Sequence, residues 1–287
     1  MKILVTGSNG QLGTELKLLS EKHPDIEFIL TDIQELDITS EAQVSTFLLE
    51  HKPNWIVNCA AYTAVDKAES ERSLAMKVNY EAPRILSTLG QKMGIGLVHV
   101  STDYVFDGKS CLPYKEFDGV NPQSSYGESK LKGEVAVLSH KGIVIRTSWL
   151  YSAYGNNFVK TMIRLGKEKE SLGVVFDQIG TPTWAHDLAD AIISIVTTIE
   201  TTNNHHSGIY HYSNEGVCSW YDFAVKIMQL SGSQCKVRPI ESAEYPVPAP
   251  RPAFSVLNKK KIKETFKLEI PHWEESLKKC LNLLLKD

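Results

Sequence analysis

Two groups of residues in this 287-residue chain could do chemistry together. Near the amino end, Gly7-Ser8-Asn9-Gly10-Gln11-Leu12-Gly13 follows the apolar run Ile3-Leu4-Val5. Far downstream, Ser101-Thr102-Asp103 closes another apolar run and is followed by Tyr126-Gly127-Glu128-Ser129-Lys130. Tyr126 and Lys130 stand about one helical turn apart, so on a helix they project from one face. Reducing a ketone takes a hydride donor, a proton donor for the oxygen, and donors that stabilise the developing alkoxide. A tyrosine hydroxyl ordinarily ionises at about 10, and a nearby ammonium lowers that value by stabilising the phenolate. Tyr126 is therefore the expected proton donor. Lys130 would lower its pKa and bond the nicotinamide ribose, and Thr102 would hold the carbonyl oxygen. A Tyr-x-x-x-Lys spacing is common by chance. Its weight here comes from the strand-ending Ser101-Thr102 and from the glycine turn.

Gly7, Gly10 and Gly13 suit the three tasks of a dinucleotide turn. One permits a sharp bend, one lets the backbone approach a pyrophosphate, and one packs helix on strand. A helix N-terminus then offers free N–H groups and positive dipole to the phosphates. The spacing is Gly-x-x-Gly-x-x-Gly, not Gly-x-Gly-x-x-Gly, so its place between an N-terminal strand and a helix carries the reading. Asp32 ends the second strand pattern, where an acid can accept from an adenosine ribose. Its carboxylate would repel a 2′-phosphate and favour NADH over NADPH; the alternative is that Asp32 caps the following turn. Asp37-Ile38 could flank the adenine. Ala60-Ala61-Tyr62-Thr63 is small where a cofactor would pass close.

The elements that must position these groups alternate. Ile3–Val5, Phe28–Leu30, Trp55–Val57, Leu97–Val100 and Ile143–Ile145 are apolar runs that suit parallel strands buried on both faces. Between them Gln11–Lys22, Glu41–His51, Ala68–Met93 and Ser125–His140 have helical spacing. The pattern predicts an α/β fold, a doubly wound parallel sheet of Rossmann type, with a smaller C-terminal substrate-binding region. Ligands then bind at the carboxyl edge of the strands. Residues 1–150 form the expected dinucleotide-binding domain, with about 178–205 returning to it. About 151–177 and 206–287 form the second region. There, helices are predicted over Asn156–Lys169, His186–Thr198 and Trp273–Leu285, with Ser219 capping a helix that begins at Trp220. Tyr245–Pro252 holds four prolines, which bar a regular helix and predict an ordered loop.

Bulk properties exclude several classes. With 42% apolar and 23% charged residues the chain can bury a core, and its net charge of −3 gives no footing for nucleic acid. Lys259-Lys260-Lys261, the densest basic run, reads as a solvated helix start. No apolar stretch is long enough for a membrane helix, and no signal-peptide pattern opens the sequence. Cys59, Cys111, Cys218, Cys235 and Cys280 are scattered without a Cys-x-x-Cys pair, so neither a disulfide framework nor a zinc site is expected. The chain reads as cytoplasmic, with reduced thiols.

Several longer motifs narrow the reading. They are Thr6-Gly7 through Gly13, Asn58-Cys59-Ala60-Ala61-Tyr62-Thr63, and Val65-Asp66-Lys67-Ala68-Glu69. Ser101-Thr102-Asp103-Tyr104-Val105-Phe106-Asp107-Gly108 and Tyr126 through Glu134 follow. Arg146-Thr147-Ser148-Trp149-Leu150-Tyr151, Asp177 through Thr183, and Arg251-Pro252 before Ser255-Val256-Leu257 complete the set. Together they resemble the extended short-chain dehydrogenase/reductase superfamily and, within it, the dTDP-4-dehydrorhamnose reductase family. The resemblance implies Thr102, Tyr126 and Lys130 as catalytic triad and NADPH or NADH as cofactor. It implies dinucleotide contacts from Gly10-Gln11-Leu12, Asp37-Ile38 and Ala61-Tyr62-Thr63. Thr102-Asp103 and Trp149 would contact a dTDP-sugar held by the second region. Some members dimerise through a magnesium site built from glutamates, and Glu15 falls at one such position, so a homodimer and a magnesium ion stay open.

A dTDP-sugar brings a diphosphate to a slightly acidic chain, so cationic groups must be local. Arg251, between two prolines, is the candidate, its fork suited to phosphate oxygens; alternatively it pairs with an acid to pin its loop. Rival readings remain on the same scaffold. Dehydratases of the superfamily place Asp-Glu after the threonine, where this chain has Asp103-Tyr104. Reductases that also epimerise use a Cys and a His, and neither Cys111 nor Cys218 has that context. A sugar-nucleotide epimerase shares the Tyr and Lys, although the Trp149 segment speaks against it. Related chains also serve as non-catalytic regulatory subunits, notably of methionine adenosyltransferase.

Overall fold

The computed structural model describes residues 1–202, 204 and 206–286. The first half runs β1 (Lys2–Thr6), α1 (Gln11–Ser20), β2 (Glu27–Thr31), α2 (Glu41–His51) and β3 (Trp55–Asn58). After a 3₁₀ turn at Lys67–Glu69 come α3 (Arg72–Met76), a π-helical turn at Lys77–Glu81, and α4 (Ala82–Met93). Then follow β4 (Gly96–Thr102), α5 (Ser125–Leu138) and β5 (Ile143–Thr147). The second half holds β6 (Leu150–Tyr151), α6 (Phe158–Glu168), β7 (Ser171–Val175), β8 (Ile179–Gly180), β9 (Thr183–Trp184) and α7 (Ala185–Thr202). It ends with β10 (Gly208–His211), β11 (Cys218–Ser219), α8 (Trp220–Ser231), β12 (Lys236–Ile240), α9 (Lys260–Phe266) and α10 (Trp273–Leu284).

Six strands form one sheet in the order β10-β5-β4-β3-β1-β2, every neighbouring pair parallel. β3 and β5 are buried from end to end, as apolar runs covered on both faces must be. α1 and α7 cover one face, where Leu12, Leu16 and Leu19 meet Leu188, Ile192 and Ile195 over Ile3 and Val5. α2, α4 and α5 cover the other through Val44, Leu48, Ile85, Leu86 and Val137. The winding reverses between β1 and β3, which places the turns after Thr6 and Asn58 side by side at the carboxyl edge. A separate core joins α6, α8 and α10 through Met162, Phe223, Ile227, Trp273 and Leu277.

Three expectations need correction. The pattern over Ala68–Met93 is not one helix: a π turn interrupts it and directs the fully buried Asn79 inward, a device frequent at functional sites. The return to the sheet also extends past residue 205, which lies outside the described residues: Gly208–His211 pairs with β5 as an edge strand. Phe266 of α9 joins that same core, so residues 206–287 do not belong wholly to the second region. Finally, Lys259 is not solvated. It is 7% exposed, its ammonium 3.4 Å from the Glu215 carboxylate, an arrangement a basic run in sequence does not reveal. Ser219 does cap α8, within a reciprocal capping box with Asp222.

Candidate active site

A cleft of about 790 Å³ runs along the carboxyl edge of the sheet, within the range of small-molecule sites. Gly7, Gly10 and Gly13 line it together with Thr102, Tyr126 and Lys130. Trp149 and Asn157 line it as well, Asn157 donating to Gln11 Oε1 at 3.0 Å beside the glycine turn. The two sequence motifs therefore open onto one space.

The glycines divide their work as their chemistry requires. Gly7 sits at φ +70°, and a Cβ there would lie 2.7 Å from the Ala60 backbone. At Gly13 a Cβ would lie 2.3 Å from the Gly7 carbonyl oxygen, so only glycine lets α1 close on the turn. No side chain caps α1 at Gly10, which leaves its first N–H groups to an anion in the cleft. These features fit a dinucleotide pyrophosphate. Asp32 lines the cleft too, and both of its carboxylate oxygens already accept backbone N–H groups, from Asn9 at 3.0 Å and Ile33 at 2.8 Å. It caps the turn and steadies the glycine loop. Asp37, Ile38, Ala61 and Thr63 continue the lining. Tyr62 is absent from it: its ring packs beside Ala68, Ala75 and Tyr126, and its hydroxyl donates to Glu71 at 2.6 Å.

Thr102 is the last residue of β4. Its hydroxyl donates to Asp103 Oδ1 at 2.9 Å and accepts the Tyr104 N–H at 3.2 Å. Asp103 is 2% exposed. Its other oxygen is buried beside the Ser255 hydroxyl, without a hydrogen bond of good geometry for either atom among the described residues. Burial pushes its carboxyl up to about 6, against the hydrogen bonds that favour the charged form. Burial pushes the Tyr126 phenol up to about 12; the Thr102 hydroxyl opposes this and the Asp103 charge adds to it. The expected lowering of Tyr126 by Lys130 is thus not what this geometry produces. The ammonium donates instead to the Val100 carbonyl at 2.6 Å, and burial pulls it down to about 8 against the pull of Glu134.

Trp149 lines the cleft in a left-handed backbone conformation, φ 48°, costly for a bulky residue and characteristic of functional sites. Its indole stacks on Trp220 with centroids 3.7 Å apart. Arg251 does not reach the cleft lining. Its Nη2 donates to Asp66 at 2.8 Å, and the other Asp66 oxygen accepts the Ala249 N–H at 3.2 Å, so the loop-pinning alternative describes what it does. Glu15 is buried, accepting from Ser152 at 2.6 Å and facing His186 at 3.1 Å. A carboxylate engaged inside the chain does not fit a metal bridge between copies.

The family described as RmlD substrate binding domain matches residues 1–286. The chain belongs to this family. A dTDP-4-dehydrorhamnose reductase of Aggregatibacter actinomycetemcomitans is 43% identical, aligned over 96% of this chain and 97% of its own. Among solved structures, a dTDP-4-dehydrorhamnose reductase of Clostridium acetobutylicum superposes with a TM-score of 0.93 at 47% identity, covering 99% of each chain. The enzyme of that name from Bacillus anthracis, solved in complex with NADP, superposes with a TM-score of 0.90 at 41% identity, covering 98% of this chain and 99% of its own.

The family motif Val65–Glu69 gains a physical role in this structure. Asp66 holds the Pro-rich loop, and Glu69 accepts both the Ser125 N–H at 2.8 Å and its hydroxyl at 3.0 Å, gripping α5 beside Tyr126. Residue-by-residue reading misses three contributors. Asn79 bonds the Tyr62 backbone on both its N–H and C=O and donates to Ser129 beside Lys130. Trp220 backs Trp149, and His99 lies 3.5 Å from Lys130. An asparagine inside an apolar helical pattern and a histidine inside a buried strand are the only signals the sequence offered.

Proposed function

We propose that the protein is an NAD(P)H-dependent reductase that converts the 4-keto group of dTDP-4-dehydro-L-rhamnose to the alcohol of dTDP-L-rhamnose. The observation that carries this reading is that Thr102, Tyr126 and Lys130 line the same cleft as the glycine turn, in a chain several of whose full-length relatives bear that enzyme's name. A reduced nicotinamide supplies the hydride. This chain's residues do the rest. Tyr126, held at about 12, is a neutral phenol at physiological pH and so carries the proton the ketone oxygen needs. The Thr102 hydroxyl, already steered by Asp103 and the Tyr104 N–H, orients that oxygen. Lys130, bonded to the Val100 carbonyl and beside His99, keeps an ammonium proton for the cofactor ribose or for the phenolate that Tyr126 leaves.

The glycine turn and α1 would hold the pyrophosphate, and Ile38 would flank the adenine. Asp32 leaves both cofactors usable with a bias toward NADH, since its charge faces the cleft while its oxygens are partly engaged. Trp149, propped by Trp220, would pack against the sugar. Arg251 acts through its loop, which Asp66 holds near Tyr104.

Incubation with NADPH and dTDP-4-dehydro-L-rhamnose tests the assignment in one assay. Stoichiometric cofactor oxidation with formation of the 4-hydroxy sugar is expected. Isomerisation without net oxidation would instead mark an epimerase, and cofactor binding without turnover a regulatory subunit.

A further inference from the structure

The catalytic set leaves unused a buried polar chain that runs beneath it across three strands. Thr6, at the end of β1, donates from its hydroxyl to Oδ1 of the Asn58 side-chain amide at 2.7 Å. The other end of that amide lies 2.9 Å from His99 Nδ1. Asn58 and His99 are paired across β3 and β4. On its far side His99 turns Nε2 toward the Lys130 ammonium at 3.5 Å. His99 is fully buried, so every ring nitrogen must find its partner inside the protein.

The proton inventory is restrictive. Burial holds the imidazole neutral, its pKa well below the ordinary value, with the Lys130 charge acting in the same sense. A neutral imidazole carries one N–H and one bare nitrogen. An ammonium only donates, so beside charged Lys130 the bare nitrogen must be Nε2 and the proton must sit on Nδ1. That state requires the Asn58 amide turned over from the orientation seen here, its oxygen to His99 and its NH₂ to Thr6. When Lys130 is neutral, each bond reverses: Nε2–H donates to the amine, Nδ1 accepts from the Asn58 NH₂, and Thr6 donates to the Asn58 oxygen. Both patterns leave no donor facing a donor, because Thr6 and Asn58 can each present either sense. The other groups around the lysine are fixed: the Val100 carbonyl on β4, the half-buried Cys59 thiol after β3, Tyr126 and Glu134 on its own helix, and Arg146 on β5 through Glu134.

We propose that His99 is a positioning residue for Lys130, a neutral imidazole whose tautomer follows the lysine's charge and keeps its head aimed at the cleft in either state. This rests on the reading of Lys130 as catalytic. The short bond to Val100 anchors the ammonium, and the longer contact to His99 sets its direction, leaving the remaining hydrogen for ribose or phenolate.

The test needs no substrate. Full-length protein labelled in histidine nitrogens is titrated by NMR through the Lys130 midpoint of about 8, with the His99 signal assigned by its loss in His99→Gln. The proton is expected on Nδ1 below the midpoint and on Nε2 above it, and this exchange is expected to vanish in Lys130→Met. In lysine-labelled protein, His99→Leu is expected to lower the Lys130 midpoint by about one pH unit, because the bond to the charged form is the stronger one. His99→Gln, whose amide can also donate or accept, should restore most of it. One tautomer held throughout the lysine titration would overturn the proposal on the wild-type protein alone. So would an unmoved midpoint in folded His99→Leu. Absence of turnover would count against the proposed reaction and leave both readouts standing.

Discussion

Asp103 should weaken the fold in proportion to its charge, and Asp103→Asn isolates that effect. Its carboxyl titrates at about 6 in the native protein against an ordinary value of 3.8. An acid with a raised native pKa contributes its full stability below the unfolded value and loses it as pH rises through the native one. At about 1.4 kcal/mol per pH unit, the loss across that window is about 3 kcal/mol. Spread over 287 residues, this corresponds to about 5 °C in melting temperature. Asparagine keeps an oxygen for the Thr102 hydroxyl and places an NH₂ beside Ser255, without the buried charge. Thermal melts of wild type and Asp103→Asn at about pH 4 and about pH 8 are the assay. The variant should gain about 5 °C relative to wild type between the two, whatever their difference at acid pH. A difference that does not change with pH would refute the buried-carboxylate argument, and with it the view that this site trades stability for a polar group at the reacting centre.

Tyr126→Phe keeps the ring against Tyr104 and removes the proton donor, so turnover should fall by about 10²–10⁴-fold with cofactor affinity barely changed; near-normal kcat would remove Tyr126 from the mechanism. Asp32→Ala should improve NADPH relative to NADH in steady-state kinetics, and an unchanged ratio would leave Asp32 solely a turn cap. Arg251→Ala breaks a partly exposed ion pair and should cost about 1 kcal/mol of stability in denaturant titrations. An intact stability with a sugar-nucleotide KM raised about tenfold, the cost of one charged hydrogen bond, would move the guanidinium to the diphosphate.

The fold was largely legible along the chain because parallel strands covered on both faces must be apolar runs, and crossover helices must repeat with their own period. Ile3–Val5, Trp55–Val57 and Ile143–Ile145 lie inside the observed strands, and α2 spans the residues its periodicity marked, Glu41–His51. Spacing alone also showed that Tyr126 and Lys130 share a helix face and that a glycine turn precedes α1. Motifs of this kind are local, and local geometry follows from sequence separation.

What remained hidden depends on neighbours remote in the chain. Whether Arg251 reaches an anion or an acid is decided by Asp66, 185 residues away. Where the Lys130 ammonium points is decided by the Val100 carbonyl, which accepts its hydrogen bond, while burial raises the Tyr126 phenol. Lys259 looks like a surface lysine until Glu215 closes on it, and His99 looks like a strand residue until α5 lays Lys130 beside it. Period and composition report which side of an element faces the core. They carry no record of which polar group stands opposite, and in a low-dielectric interior that partner sets the charge, the proton and the aim of each catalytic side chain.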